Sequence, residues 1–218
     1  MKKFLTAFVL LLVCTVPSFA STMAVDFVSP GYIFGPSLWS MGFKFQANTA
    51  ATVSRLGVFD AYQNGLTGIQ QVGLWDTHGN LLASTLVDNS DSLEGYWRVR
   101  SISSVTLTVG AQYYVASQGG EAYTFQTNGF TVNPYITYIQ DSWNYNAHSM
   151  YSPLGFPLNS NNITQSQGGG FFGANLDFAS PVQGQNDPPP TRVPEPTSLI
   201  LLGSGLAGLL LRQHKDRK

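Results

Sequence analysis

The sequence predicts an all-β protein: an antiparallel β-sandwich of jelly-roll or immunoglobulin-like type, with an N-terminal signal helix and a short C-terminal transmembrane helix. Three observations predict it. Between residues 21 and 180 helical periodicity is scarce, and short apolar and aromatic runs alternate with Gly, Asn, Asp and Ser clusters. The two ends instead carry predominantly apolar runs beside basic residues. Charge is low, with 11% Asp, Glu, Lys and Arg against 13% aromatics, a balance common in secreted β-rich proteins.

The N-terminus reads first. Lys2 and Lys3 form a positive region, Phe4 to Val16 an apolar one, and Ser18-Phe19-Ala20 a small-x-small cleavage site. Residues 1–20 are therefore a signal peptide. Signal peptidase is expected to cut between Ala20 and Ser21, with Thr22-Met23-Ala24 a second possible site. Cys14 is the only cysteine and leaves with the signal, so the mature chain has no disulfide, thiol nucleophile or thiolate ligand. Val13 is not the small residue that lipidation at Cys14 would need.

Residues 21–180 are long enough for one domain with a sizeable core. The expected strands are Met41–Gln46, Thr52–Phe59, Gln70–Trp75, Leu81–Val87, Tyr96–Ile102, Val105–Val109, Gln112–Ser117, Ala122–Gln126, Tyr135–Gln140 and Gly170–Phe178. Alternation in Gly42-Phe43-Lys44-Phe45-Gln46 puts Phe43 and Phe45 on one face, and Leu107 and Val109 are expected inward of Thr106 and Thr108. Asp76-Thr77-His78-Gly79-Asn80 is turn chemistry joining two strands as a hairpin. Residues 141–169, rich in Asn, Pro and Gly, read as a long loop. No internal repeat is visible.

Residues 181–192 are a Pro-rich linker, stiff and extended at Pro188-Pro189-Pro190. Beyond it, residues 193–218 hold Pro194-Glu195-Pro196, an apolar helix over 198–211, and a basic end with Arg212, Lys215, Arg217 and Lys218. Leu199 to Leu211, as a helix, is about 20 Å long, short of a hydrocarbon core of about 30 Å. The basic end predicts a cytoplasmic tail. Gly203 and Ala207, and Ser204 and Gly208, would give the helix a smooth face for close packing. Pro194 and Pro196 hold the preceding chain extended, where a membrane enzyme could grip it.

These three ordered elements resemble the PEP-CTERM sorting signal of Gram-negative bacteria. The resemblance implies recognition and removal of the tail by an exosortase, a membrane-embedded protease. It implies a chain exported across the inner membrane, briefly anchored, then released to the cell surface or beyond, often together with exopolysaccharide. A second resemblance begins at Gly42-Phe43-Lys44-Phe45. It continues through Leu56-Gly57-Val58-Phe59, Val72-Gly73-Leu74-Trp75, Leu81-Leu82-Ala83, Gly95-Tyr96-Trp97 and Gly110 to Tyr113-Tyr114-Val115. Residues 36–120 are similar to a bacterial extracellular β-sandwich module of unknown function, whose motifs are structural and carry no catalytic residue.

Four basic side chains against ten acidic ones give residues 21–190 a net charge of −6, which argues against nucleic acid as a partner. His78 and His148 lack partners at ligand spacing, and no metal or cofactor is expected. Asp88-Asn89-Ser90-Asp91-Ser92-Leu93-Glu94 only loosely resembles a calcium loop, because its sixth position lacks Gly. The same carboxylates are too close together for glycosidase work. No Gly-x-Ser-x-Gly elbow is present, and no catalytic residue is assigned. Aromatics remain. Trp75 and Trp97 read as core, while Tyr135, Tyr138, Trp143, Tyr145 and Tyr151 cluster near the Asn-rich loop. Trp143, Tyr145 and Tyr151 are the residues expected to touch a glycan, by stacking on sugar rings. The sequence thus points to a non-enzymatic surface or matrix protein associated with exopolysaccharide or biofilm. The alternatives are a carbohydrate-binding module and a secreted hydrolase.

Overall fold

The computed structural model describes residues 22–35, 39–118, 121–145 and 154–179. The signal peptide with Ala20 and Ser21, Tyr151, the Pro-rich linker, Pro194-Glu195-Pro196 and the apolar helix over 198–211 lie outside the described residues. Among those described, the only helical segment is a single 3-10 turn, Gln165–Gln167, and no helix is long and apolar enough to cross a membrane.

The described chain is all-β and antiparallel. Its strands are β1 (Val25–Asp26), β2 (Tyr32–Phe34), β3 (Ser40–Ala47), β4 (Thr52–Phe59), β5 (Gln70–Asp76), β6 (Leu81–Val87), β7 (Ser92–Glu94), β8 (Trp97–Thr106), β9 (Gln112–Gln118), β10 (Tyr123–Phe125), β11 (Thr131–Val132), β12 (Ile136–Asn144) and β13 (Ala174–Phe178). A five-stranded sheet has the order β12-β3-β9-β5-β6, and a four-stranded sheet the order β13-β4-β8-β7. The ribbons β1-β11 and β2-β10 stand beside them.

One core lies between the two larger sheets. Phe43 and Phe45 are fully buried, as the alternation in β3 requires, and face Leu56, Val58 and Leu176 of the smaller sheet within one apolar cluster. Phe27, Phe59 and Trp97 meet at 5.7–6.1 Å between ring centroids, and Phe172 links Phe27 to Phe43. Burying each such ring contributes about 1.5–3 kcal/mol, so these aromatics dominate the core. At Gly42 the neighbouring backbone of β9 leaves no room for a side chain. A Cβ built there would lie 1.8 Å from the Val115 carbonyl oxygen.

The hairpin at Asp76–Asn80 forms as expected. The Asp76 carboxylate accepts the backbone N–H groups of His78 and Asn80 at 2.8 and 3.0 Å and the Asn80 amide at 2.8 Å. Three expectations need correction. Tyr96–Ile102 and Val105–Val109 are not two strands but largely one, β8. Its pairing with β4 slips between Val53↔Val105 and Arg55↔Ser101, where extra residues of β8 bulge out of the ladder. Val109 does not point inward but is 60% exposed, because β8 stops at Thr106 and a turn follows in which Gly110 has φ +80°. The last strand begins at Ala174 rather than Gly170, since Phe171, at φ +52°, breaks the extended chain.

Of residues 141–169, expected as a long loop, residues 141–144 instead complete β12, and residues 154–169 form a packed strap. Leu154 and Phe156 cover Trp75, Tyr114 and Ala116 on the outer face of the larger sheet. Gly73 leaves room for them: a Cβ there would meet Leu154 Cδ2 at 2.7 Å. The beginning of the described chain lies along the last strand. Ala24 N–H donates to the Leu176 carbonyl at 2.8 Å, and Phe178 N–H to that of Thr22 at 3.0 Å.

Candidate functional site

Register fixes which strand ends come together. Ser40, Gln118, Gln70 and Asn144 mark one end of the larger sheet. The crossings from Phe59 to Gln70 and from Val87 to Ser92 bring Phe59 and Trp97 of the smaller sheet to that same end. Thr52, Thr106 and Phe178 lie at the other end, where the described chain begins at Thr22 and leaves at Ala179. Trp39, Trp143 and Tyr145 sit at the first end, away from the chain exit.

Trp39 stacks at a tilt on Trp143, with 5.0 Å between centroids, and Tyr145 meets Trp39 edge-on at 5.1 Å. Tyr145 is 62% exposed and both tryptophans are partly so. The strap fixes Trp143 from the other side. Its backbone exchanges two hydrogen bonds of 2.8 Å with Asn159, and its indole N–H donates to Asn161 Oδ1 at 3.2 Å. The anchor is Asp141, fully buried two residues earlier on β12. Its Oδ1 accepts Ser160 Oγ at 3.1 Å and Ile163 N–H at 2.7 Å, and its Oδ2 accepts Asn161 N–H at 2.8 Å. Rigid indoles beside Asn side chains can stack on an apolar ring face and hydrogen-bond its hydroxyls.

Of the tyrosines grouped with them by sequence, two belong to the interior. Tyr135 packs edge-on against Phe178 at 5.3 Å. Tyr138 lies against Phe43 and Phe172, and burial pushes its phenol far above the ordinary range. Trp75 and Trp97 are buried, as expected. Tyr151 and His148 fall outside the described residues.

The acidic run is a device for holding arginines. Asp88 accepts Ser90 N–H and Oγ at 2.8 and 2.6 Å, and Ser90 in first place holds the Asp88 carboxyl below its usual range. Arg100 reaches Asp91 at 2.7 Å and Asp88 at 3.1 Å. Arg55 pairs with Glu94 and Asp177, Glu94 contributing most to a guanidinium pKa above its ordinary value. Arg98 meets the buried Asp60 at 2.9 Å. Among the described residues no three His, Cys, Asp or Glu side chains are grouped to hold a metal ion. His78 stands exposed in its hairpin, 4.0 Å from Asp76.

Sequence reading missed a second aromatic group. On the ribbon β2-β10, Tyr32 faces Phe125 and Phe34 faces Tyr123, stacked at 5.4 and 5.3 Å. Phe171 closes the row against Tyr123 and Phe125. The period-two spacings Tyr32-x-Phe34 and Tyr123-x-Phe125 were the available signal, but each strand has only three residues.

Residues 192–218 match the PEP-CTERM protein-sorting motif. The tail therefore directs export and sorting at the cell envelope and processing by an exosortase, a membrane protease. No curated protein matches the chain. A family described as a domain of unknown function (DUF4082) matches residues 35–186, so the similarity seen from Gly42 to Val115 runs on through β12, the strap and β13. The chain thus belongs to the DUF4082 family, with a PEP-CTERM sorting motif at its C-terminus.

Proposed function

We propose that this protein is a non-enzymatic component of the cell surface or extracellular matrix of a Gram-negative bacterium, and that its sandwich holds exopolysaccharide. The reading rests on Trp39, Trp143 and Tyr145, which stay partly exposed although the strap holds Trp143 and Trp39 packs on both of the others, at the end of the sandwich away from Ala179. A partly exposed pair of indoles held in place by a buried carboxylate is costly to build and is ready to stack on sugar rings. The non-enzymatic part is supported by the carboxylates: Asp60, Asp88, Asp91, Glu94 and Asp177 pair with arginine, and Asp141 anchors the strap. Before processing, the apolar segment 198–211 holds the precursor in the membrane.

The test is co-sedimentation of the full chain, purified in mild detergent, with the exopolysaccharide of its own host. Binding that drops in Trp143→Ala supports the reading. Equal binding by Trp143→Ala and the unaltered chain counts against this surface. Release of reducing sugar that disappears on Asp or Glu substitution would replace the reading with a secreted hydrolase.

A further inference from the structure

A cavity of about 360 Å³ opens beside the ribbon β2-β10, between Ile33, Phe34 and Ala122 on one side and residues 60–67 on the other. It adjoins the aromatic row, because Phe34 belongs to both. Its walls combine an aromatic pair, Phe34 and Tyr62, with the polar side chains of Asp60, Asn64, Thr67 and Glu121. Polar and apolar surface share this wall almost equally, which suits a ligand with an apolar ring face and a rim of hydroxyl groups.

The segment 60–67 is clamped at four places. Asp60 is buried, and its Oδ2 accepts both Gly65 N–H at 3.0 Å and Arg98 Nε at 2.9 Å. Asn89 binds Leu66 through both backbone groups, donating Nδ2–H to the carbonyl at 2.8 Å and accepting the N–H on Oδ1. Glu121 accepts Thr67 through N–H and hydroxyl. Gln63, at φ +55°, donates Nε2–H to the Gly95 carbonyl at 2.9 Å. Within this hydrogen-bonded frame Tyr62 is left 71% exposed. Phe34, by contrast, is held by stacking on Tyr123 and Phe125 at 5.3 Å. One wall is thus fixed, and the opposite ring is free on a frame that loses little entropy on binding.

We propose that this cavity is a binding site for a pyranose ring of a neutral or amine-bearing glycan. Phe34 supplies a fixed apolar wall, Tyr62 closes on the ring, and Asn64 and Glu121 take its hydroxyl or ammonium groups. The Glu121 carboxylate and the negative charge of the domain disfavour uronate sugars. The proposal rests on the glycan-binding reading given above but uses other residues, so the two can fail separately.

The test is calorimetric titration of the full chain in mild detergent with three probes: cello-oligosaccharide, chitosan oligosaccharide and oligoguluronate. Binding of either or both of the first two, and not the third, is expected. Tyr62→Ala should weaken it about tenfold, Tyr62→Phe should largely restore it, and Trp143→Ala should leave it in place. Loss in Trp143→Ala with no change in Tyr62→Ala overturns the cavity and keeps the indole surface. Binding of oligoguluronate as tight as of the other two overturns the charge argument, and no binding of any probe overturns the site. A Tyr62→Ala chain that loses thermal stability is read through Tyr62→Phe, whose failure to bind overturns the stacking role.

Discussion

Asp141→Ala removes the acceptor of three strap hydrogen bonds, two from backbone N–H groups and one from Ser160. Bonds to a buried charge contribute about 1.5–3 kcal/mol each, but the strap can lift and hand its donors to water. The cost is then capped by local release, at roughly 3–4 kcal/mol. For a domain of this size that lowers Tm by about 10 °C. Asp141→Asn separates geometry from charge. Its retained oxygen can still accept from Ser160 and Ile163. Its NH2 would then face Asn161 N–H across the present 2.8 Å, donor against donor, for about 2 kcal/mol. Urea denaturation gives the two stabilities, and hydrogen exchange at Asn161 and Ile163 reports the strap. The expected order is native, then Asn, then Ala, with exchange at both amides rising in step. If both variants stay within 0.5 kcal/mol of the native chain, or exchange at these amides does not move, Asp141 does not anchor the strap, and the ordering of Trp143 needs another cause.

Further outcomes follow from single positions. Gly42→Ala forces a Cβ to 1.8 Å from a backbone oxygen in the middle of the larger sheet, so no folded protein is expected by circular dichroism. Gly95→Ala, at φ +58° with open space around it, should cost only about 1 kcal/mol in urea melts. The Asp76 carboxyl is held below its ordinary value, chiefly by the Asn80 side chain. Its stabilising effect is therefore complete above the unfolded value near pH 4 and is lost as pH falls through the lower folded value. Carboxyl NMR should show that low midpoint rising in Asn80→Ala, and an unmoved midpoint would refute the assignment. Pro194→Ala with Glu195→Ala should leave unprocessed precursor in the membrane fraction by immunoblot, and normal processing would refute recognition through this motif.

Much of the fold was legible because period two survives in the long strands. Phe43 and Phe45 in β3, and Leu74 with Trp75 on opposite faces of β5, announce their sides of the sheet. Asp76-Thr77-His78-Gly79-Asn80 announces a turn through local hydrogen bonds alone. Of the ribbon strands only β10 was legible, within the expected Ala122–Gln126; β1, β2 and β11 were not, because two or three residues carry almost no period and the pairing of Tyr32 with Phe125 spans more than half of the domain. Val109 failed because alternation persists in sequence after the ladder has ended.

Sequence by itself determined the all-β class, most strand positions and the sorting address, since each depends on short-range pattern or on a contiguous motif. Only the tertiary structure decided which aromatics are free. Tyr138 and Trp143 stand five residues apart on one strand, yet one is sealed in the core and the other lies under the strap's edge. Burial is set by what a distant segment lays over a residue, and that segment is held by Asp141, whose role no local pattern reveals.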